Sequence, residues 1–296
     1  MIQRLDYIDQ MKGLAILSVV IGHIYLPHTI EGAMHPIASM IYSCHMSFFF
    51  FLSGYINQKV NAIDTKGKKN FIRKKLESIL IPYFGGVIIF PLFLKNSYPN
   101  DLQSLIDRFN FYPVGLYWFL PVLFLFMTLY LIKHEIEKKY NYNIQSELAF
   151  NAASIGIFCI SGIIMHQYFL IIYGIYWYAF LLGDFLSKHD KFRSHVTSKM
   201  TFGMCALVLC LAWKFYPLEA NGIAWKSMTN LILSFICSTT ASIVLYNFFI
   251  KASIPQWIKK YLQEMGKFSL VIYVLPSNFF PTTSYFLKSF HLQYLI

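Results

Sequence analysis

Lys12 and His23 are the residues whose types and spacing most directly suggest chemistry, at the two ends of the apolar stretch KGLAILSVVIGH. Eleven residues of an α-helix make about three turns plus 20°, so both side chains point to the same side, about 16 Å apart along the axis. A lysine can hold an anion, and a neutral imidazole can accept a proton from a hydroxyl group. The spacing therefore predicts a helix face with a cation at one end and a general base at the other.

Each of these residues also has a simpler interpretation. Lys12 could extend its ammonium group to the membrane surface, as lysines near helix ends commonly do. His23 could be a structural histidine that is hydrogen-bonded to a neighbouring helix. Because ionisable groups inside a span are costly unless they face a cavity or a partner, both are functional candidates.

The segment CHMSFFFFLSGY, residues 44–55, contains a second group of candidates. His45 is predicted to lie at a depth comparable with that of His23, so the two histidines could line one cavity. Ser53 and Tyr55 lie at the other end, on either side of a glycine that would permit a helix break or close helix contact. The alternative is an ordinary helix end with an interfacial tyrosine.

Two later segments add cations and aromatic residues. In NFIRKKLESILIPYF, residues 70–84, Arg73 and Lys74 could hold a phosphate-bearing cytosolic ligand, although such charges commonly serve only to fix topology. In GLYWFLPVLFL, residues 115–125, Trp118 is a candidate for a cavity wall or for the interfacial aromatic belt.

Membrane spans must position all of these residues. The chain is 56% hydrophobic and 13% charged, whereas a soluble globular chain is about 25% charged. We therefore predict an all-α, polytopic membrane protein. The stretches apolar and long enough to be spans number nine: residues 7–26, 36–56, 79–94, 112–132, 148–165, 168–186, 200–213, 230–250 and 268–287.

The basic residues predict the orientation of the chain. With the N-terminus in the cytoplasm, twenty of the 25 Lys and Arg residues fall on the cytoplasmic side, as the positive-inside rule requires. This distribution accounts for most of the net charge of +11, so no nucleic-acid partner is expected. Membrane lipids are the expected surroundings.

Taken together, these segments resemble the integral-membrane acyltransferase-3 family, especially its fucose 4-O-acetylase-like branch. The family's elements occur in order along nearly the whole chain. Lys12 and His23 match the Arg/Lys-x10-His signature, and residues 44–55 match the FHMPLFFFISGY-like element. Arg73, Lys74 and Pro82 match the basic pair followed by a proline, and residues 117–120 match the YWFL element.

The resemblance implies transfer of an acyl group, usually acetyl from cytosolic acetyl-CoA, to a sugar hydroxyl of an envelope polysaccharide or lipid-linked glycan. It implies a multi-pass protein of a bacterial inner membrane, with acyl-CoA as donor substrate and no bound cofactor. The resemblance implies a catalytic role for His23, as base or acyl carrier, and for Lys12. It implies donor binding by Lys12, Arg73 and Lys74. It implies cavity contacts by His45, Ser53, Tyr55 and Trp118.

Two features depart from the family pattern. In the C-terminal element, residues 266–280, Pro276 stands where the family usually has histidine. The family normally has ten spans, so the single domain predicted over residues 1–296 is expected to lack the last helix. A transporter or flippase for a lipid-linked glycan and a truncated non-catalytic member are the alternative functions.

No metal site is expected. The histidines near the N-terminus are close in sequence, but their spacing matches no common ligand pattern. They are His23, His28, His35 and His45.

Overall fold

The fold is built from α-helices. The computed structural model describes residues 6–25, 35–57, 65–86, 118–215, 218–219, 222–223 and 228–274. The helices in order are α1 (Asp6–Tyr25), α2 (His35–Ile56), α3 (Thr65–Lys75), a π-helix (Leu76–Leu80), α4 (Ile81–Phe84), α5 (Phe119–Tyr140), α6 (Ile144–Ile164), α7 (Tyr168–Lys188), α8 (Asp190–Val196), α9 (Lys199–Lys214), α10 (Met228–Lys251), α11 (Gln256–Lys267) and α12 (Ser269–Val274). A two-residue antiparallel pair, β1 (Leu218–Glu219) and β2 (Gly222–Ile223), is the exception within these residues. The predicted all-α class is confirmed.

Within the described residues, four helices are long and apolar enough to cross a membrane: α5, α6, α7 and α10. The pair α8 and α9, bent by 59°, makes a fifth if it counts as one span. Every predicted span overlaps a helix, but the count of nine is not confirmed. The predicted spans 79–94 and 268–287 lie partly outside the described residues, and the side of the N-terminus stays a prediction.

The hairpin of α5 and α6 shows how local sequence sets the helix ends. Asn141 ends α5 in the left-handed region, with φ of 47°, which asparagine tolerates better than most residues. Asn143 then caps α6 by accepting a hydrogen bond from the Ser146 N–H at 2.8 Å. The short turn makes α5 and α6 antiparallel neighbours.

α2 lies at the centre of the bundle and packs against α1, α7 and α10. Its Phe50 is fully buried, and its ring centroid lies 4.9 Å from that of Phe119 and 5.1 Å from that of Tyr176. By contrast, α6 exposes Ile157 and Ile160 along its outer face. Exposed isoleucines on an apolar helix are expected where the helix faces lipid.

Reciprocal glycines bring α2 and α7 into backbone contact. A β-carbon at Gly54 would overlap the carbonyl oxygen of Phe180, and one at Gly183 would overlap that of Phe51. Small residues at such positions are typical of tightly packed membrane helices. Of the two possibilities that the sequence left open for Gly54, a helix break or a close helix contact, the structure has the close contact.

We expect Gly54→Ala to destabilise the fold by at least about 1–3 kcal/mol, because the added methyl group must displace backbone rather than a flexible side chain. The measurement is the thermal unfolding midpoint of the purified chain in detergent. Gly203→Ala in α9 is the control, since no described atom lies within 4 Å of a β-carbon there. Equal midpoints for the two variants would contradict the close crossing.

α1 and α11 cross in the same way. A β-carbon at Gly13 would overlap the Leu262 carbonyl oxygen, and one at Gly266 would overlap that of Asp9. The C-terminal helices are thereby held against the helix that carries Lys12 and His23.

Candidate functional site

A cavity of about 260 Å³ lies among α1, α2, the π-helix, α5 and α12, and we call it the lysine cavity. Much of its wall is apolar and includes Ile16, Phe119 and Leu123. Polar side chains converge on it from separate parts of the chain: Lys12, Ser53, Asn57, Lys75, Ser78, Ser269 and Tyr273. A mostly apolar cavity with a few convergent polar groups is the usual form of a small-molecule site.

Two lysines face this cavity from different helices, Lys12 in α1 and Lys75 at the end of α3. Lys12 Nζ lies 4.0 Å from Oδ1 of the buried Asp9. Burial lowers the pKa of Lys75 from its usual value of 10.5, and the charge of Lys12 lowers it further. Because two neighbouring cations repel each other and a bound anion relieves that repulsion, the cavity favours a negatively charged ligand.

A π-helix brings Lys75 and Ser78 to the cavity wall. Pro82 has no backbone N–H, and in a regular α-helix its ring would clash with the carbonyl of residue 78. The chain widens instead over Leu76–Leu80, where the Ile81 N–H donates to the Leu76 carbonyl, five residues back. The basic segment and the proline that follows it therefore belong to one structural unit, joined by the π-helix. Such π-helical segments occur frequently at functional sites.

Arg73 and Lys74, the predicted donor-binding residues, are exposed on the same helix. Arg73 Nε lies 3.6 Å from Oε1 of Glu77, an exposed pair of a kind that contributes little to stability. Lys75 lines the lysine cavity and these two do not. The sequence pattern identified the basic segment, but the helix register decides which cation faces inward.

The segment Ser53–Gly54–Tyr55 serves three different contacts. Ser53 faces the lysine cavity, and Gly54 packs against α7. Tyr55 lines a second cavity on another side of α2, where its hydroxyl accepts a hydrogen bond from Tyr246 at 2.9 Å. The structure therefore separates two residues that the sequence had placed in one group.

His45 is buried in α2, and its Nδ1 lies 2.7 Å from the Ile41 carbonyl oxygen. Because a carbonyl only accepts, Nδ1 carries a proton, and in the neutral ring Nε2 holds the lone pair. In α1, Gly22 faces the ring of Tyr42, which packs edge-on against His45. The backbone of His23 follows Gly22 and so lies level with this turn of α2, whereas the His23 side chain lies outside the described residues.

Trp118 belongs to the aromatic core and does not line the lysine cavity. Its ring stacks on Tyr176 at a centroid distance of 5.5 Å and is buried. The next residue, Phe119, lines the cavity and meets Tyr273 edge-on at 5.6 Å. Trp118 therefore lies behind the cavity wall, packed edge-on against Phe119.

Several cavity residues were not predicted individually. Ser269 and Tyr273 come from the C-terminal GKFSLVIY segment, which the sequence marked only as a family-like element. Asn57 follows α2 and donates to Met127 Sδ at 2.9 Å. Pro276 lies outside the described residues.

A buried cluster of charged side chains joins α5, α6 and α7, and we call it the ion cluster. Its members are Lys133, Glu137, Glu147, Asp184, Lys188 and His189. Lys133 is 1% exposed, with Nζ 3.1 Å from Asp184 Oδ2 and 3.4 Å from Glu147 Oε1, and it also pairs with Glu137. The cluster joins the cytoplasmic ends that the basic residues predict for these helices.

The remaining contacts satisfy the carboxylates of the ion cluster. Lys188 Nζ lies 2.8 Å from Asp184 Oδ2, and the Tyr130 hydroxyl donates to Asp184 Oδ1 at 2.9 Å. His189 Nε2 lies 2.8 Å from Glu147 Oε2. An aspartate inside a predicted span is a signal that could have revealed this cluster, because such a charge requires partners.

Within the described part of the chain, no group of three His, Cys, Asp or Glu residues is arranged to hold a metal ion. The expectation of a metal-free protein stays a prediction, as do the roles assigned to individual site residues.

Comparison with protein families identifies the chain. The family model of acyltransferase-3, described as "Acyltransferase domain", matches residues 5–296 and so includes every helix that lines the lysine cavity. Comparisons with curated proteins and with solved structures give no significant match. The fucose 4-O-acetylase-like branch stays a prediction. The chain therefore belongs to the acyltransferase-3 family and is a membrane acyltransferase.

Proposed function

We propose that this protein transfers an acetyl or other short acyl group from cytosolic acyl-CoA to a sugar hydroxyl of an envelope polysaccharide or lipid-linked glycan. The proposed location is a bacterial inner membrane. The observation that carries the proposal is the lysine cavity, which holds two cations beside several hydroxyl and amide groups. Lys12 in this cavity lies on the same helix as His23.

The size of the lysine cavity suggests how the donor binds. At about 260 Å³ it lies at the low end of ligand cavities, which are about 300–1,000 Å³. It suits the thioester arm of acyl-CoA with a neighbouring phosphate, while the nucleotide stays outside. Arg73 and Lys74, exposed on the helix that carries Lys75, would then hold the outer phosphates, with Arg73 offering a bidentate contact.

His23 has two chemically complete roles. As a general base, it takes the proton of the sugar hydroxyl while the oxygen attacks the thioester carbonyl; the C–S bond breaks and the CoA thiolate leaves. As an acyl carrier, its ring nitrogen attacks the thioester carbonyl, the C–S bond breaks and the CoA thiolate leaves; the sugar oxygen then displaces the imidazole, which takes up the proton of the sugar hydroxyl. Both roles require the acyl group to travel along the α1 face from Lys12 toward His23.

The proposal is tested by transfer in proteoliposomes that contain the purified chain, labelled acetyl-CoA and several lipid-linked or polymeric sugars. Label in a sugar whose mass has increased by one acetyl group supports the proposal. Movement of the glycan across the bilayer without consumption of acetyl-CoA identifies a transporter. A folded chain that gives neither result with any acceptor is the non-catalytic member.

We expect Lys12→Gln and Lys75→Gln each to raise the KM for acetyl-CoA about tenfold, the loss of roughly 1.4 kcal/mol from a charge-assisted phosphate contact. The measurement is the initial transfer rate against acetyl-CoA concentration. Lys260→Gln is the control, because Lys260 is exposed on α11 and outside the cavity. Unchanged KM values in both cavity variants would contradict donor binding at these lysines.

The pH dependence of the KM for acetyl-CoA tests whether Lys75 binds the donor through its charge or only shapes the cavity. Only the protonated amine attracts phosphate, and the pKa of Lys75 is lowered by burial and by Lys12. The wild-type KM for acetyl-CoA should therefore rise with increasing pH, and the rise should begin at a pH below the usual pKa range of a lysine. Lys75→Gln should lack that rise, since it has no ammonium group to lose.

A further inference from the structure

A second cavity, of about 540 Å³, lies where α1, α2, α8 and α10 meet. We call it the tyrosine cavity after Tyr7, Tyr55 and Tyr246 in its wall. It shares no lining residue with the lysine cavity among the described residues. Ser53 and Tyr55, two residues apart, point about 200° apart around α2, so the two cavities lie on different sides of that helix.

The three tyrosine hydroxyls form a chain that leads into the cavity. The fully buried Tyr246 donates to the Tyr55 oxygen at 2.9 Å. Tyr55 and Tyr7 have their hydroxyl oxygens 3.4 Å apart. Because Tyr55 already accepts from Tyr246, its own proton is available to Tyr7. The half-buried Tyr7 then has a proton to donate into the cavity.

Arg193 of α8 supplies a positive charge beside these hydroxyls. Its guanidinium interacts with Tyr55 and pairs through one Nη with Asp190. Asp190 is largely exposed, with 82% of its side chain accessible, whereas Arg193 is 34% exposed. A guanidinium has five N–H donors, so a single carboxylate oxygen leaves donors for a further anion. Asp190 opposes the binding of that anion through its own charge.

The rest of the wall indicates what carries the anion. Phe249 and Ile250 of α10 give the cavity an apolar side, and a volume of about 540 Å³ exceeds what an inorganic anion needs. Arginine combined with hydroxyl donors is the usual set for phosphate oxygens. The cavity also lies at the end of α7 and α8 that the distribution of basic residues predicts to be cytoplasmic, where anionic headgroups attract cations.

We propose that the tyrosine cavity binds a phosphate ester that carries an apolar group. The phosphate lies against Arg193 and Tyr7, and the apolar part lies against Phe249 and Ile250. Two sources have this chemistry: an anionic phospholipid of the adjoining leaflet and a soluble phosphate ester. The site is separate from the donor site and does not depend on the proposed transfer reaction.

The test uses the full chain with two probes. Phosphatidic acid is presented in nanodiscs of phosphatidylcholine, and the lipid retained is counted by native mass spectrometry; phenyl phosphate, a soluble phosphate ester with an apolar ring, is titrated calorimetrically in detergent. We expect Arg193→Gln to weaken binding of the active probe at least about tenfold, the loss of one charged contact. Asp190→Asn should strengthen binding severalfold, because it removes a repelling charge from an exposed position.

The opposite signs of these two variants distinguish a ligand site from a structural ion pair, whose disruption would act in the same direction in both. Lys199→Gln, an exposed cation at the start of α9, is the control and should change neither binding constant. Binding of phosphatidic acid alone assigns a lipid, and binding of phenyl phosphate assigns a soluble ester. The proposal is overturned if neither probe binds, if the variants leave binding unchanged, or if Arg193→Gln raises the KM for acetyl-CoA, which would make the cavity part of the donor site.

Discussion

His23→Ala is expected to abolish sugar acetylation while the chain still inserts and still binds acetyl-CoA. Removing a general base costs about 10²–10⁴ in rate, and removing a covalent carrier stops turnover by that route altogether. Donor binding should persist, because Lys12, the cation that α1 contributes to the lysine cavity, lies about 16 Å along the helix axis from His23. The measurements are transfer in proteoliposomes and equilibrium binding of labelled acetyl-CoA to the same preparation.

His195→Ala is the matched control, because His195 is exposed on α8 and its Nδ1 bonds only to the Lys191 carbonyl of its own helix among the contacts described. It should transfer acetyl groups at the wild-type rate. Label that stays on the denatured wild-type chain in the absence of acceptor, and is lost in His23→Ala, identifies the acyl carrier. Full transfer by His23→Ala would show that another group performs the chemistry.

Lys133→Met is expected to cause the largest loss of stability. Lys133 and Lys188 each meet all three carboxylates of the ion cluster, but the Lys133 side chain is only 1% exposed whereas that of Lys188 is 14% exposed, and Asp184 is completely buried. Removing one partner of a buried ion pair typically costs about 3–5 kcal/mol. Without Lys133 the three carboxylates share Lys188 as their remaining lysine partner, so their mutual repulsion is only partly offset. We expect a much lower unfolding midpoint in detergent and little folded protein at growth temperature.

Two comparisons separate this effect from simple loss of a lysine. Lys138→Met removes an exposed cation from the same helix and should leave the midpoint nearly unchanged. The double variant Lys133→Met with Asp184→Leu removes both charges and should recover part of the loss, which a double-mutant cycle measures. If Lys133→Met unfolds at the wild-type midpoint, the ion cluster does not hold the three helices together.

The sequence predicted the helical class, because the length of an apolar stretch is a property of local sequence. It also identified Gly54 as a position that permits a helix break or a close helix contact, and the structure has the contact. These inferences require no knowledge of how separate helices meet.

The inward-facing cation could not be predicted from the sequence. Arg73, Lys74 and Lys75 are adjacent, and an α-helix rotates by about 100° per residue, so only one can face a given neighbour. The π-helix enforced by Pro82 fixes that register. The ion cluster was missed because it also depends on how separate helices pack. In the sequence Lys133 is typical of a charge that fixes topology, and its carboxylate partners in α6 and α7 are apparent only in the structure.

The crossing of α1 and α11 has a consequence for biosynthesis. Gly13 and Gly266 are separated by most of the chain, and at about 5–20 residues per second the ribosome needs roughly 10–50 s to produce the second after the first. During that interval α1 lacks the partner whose backbone fits against its glycine. α12, which forms part of the wall of the lysine cavity, is synthesised later still. The nascent protein therefore has no complete lysine cavity until α12 has been made.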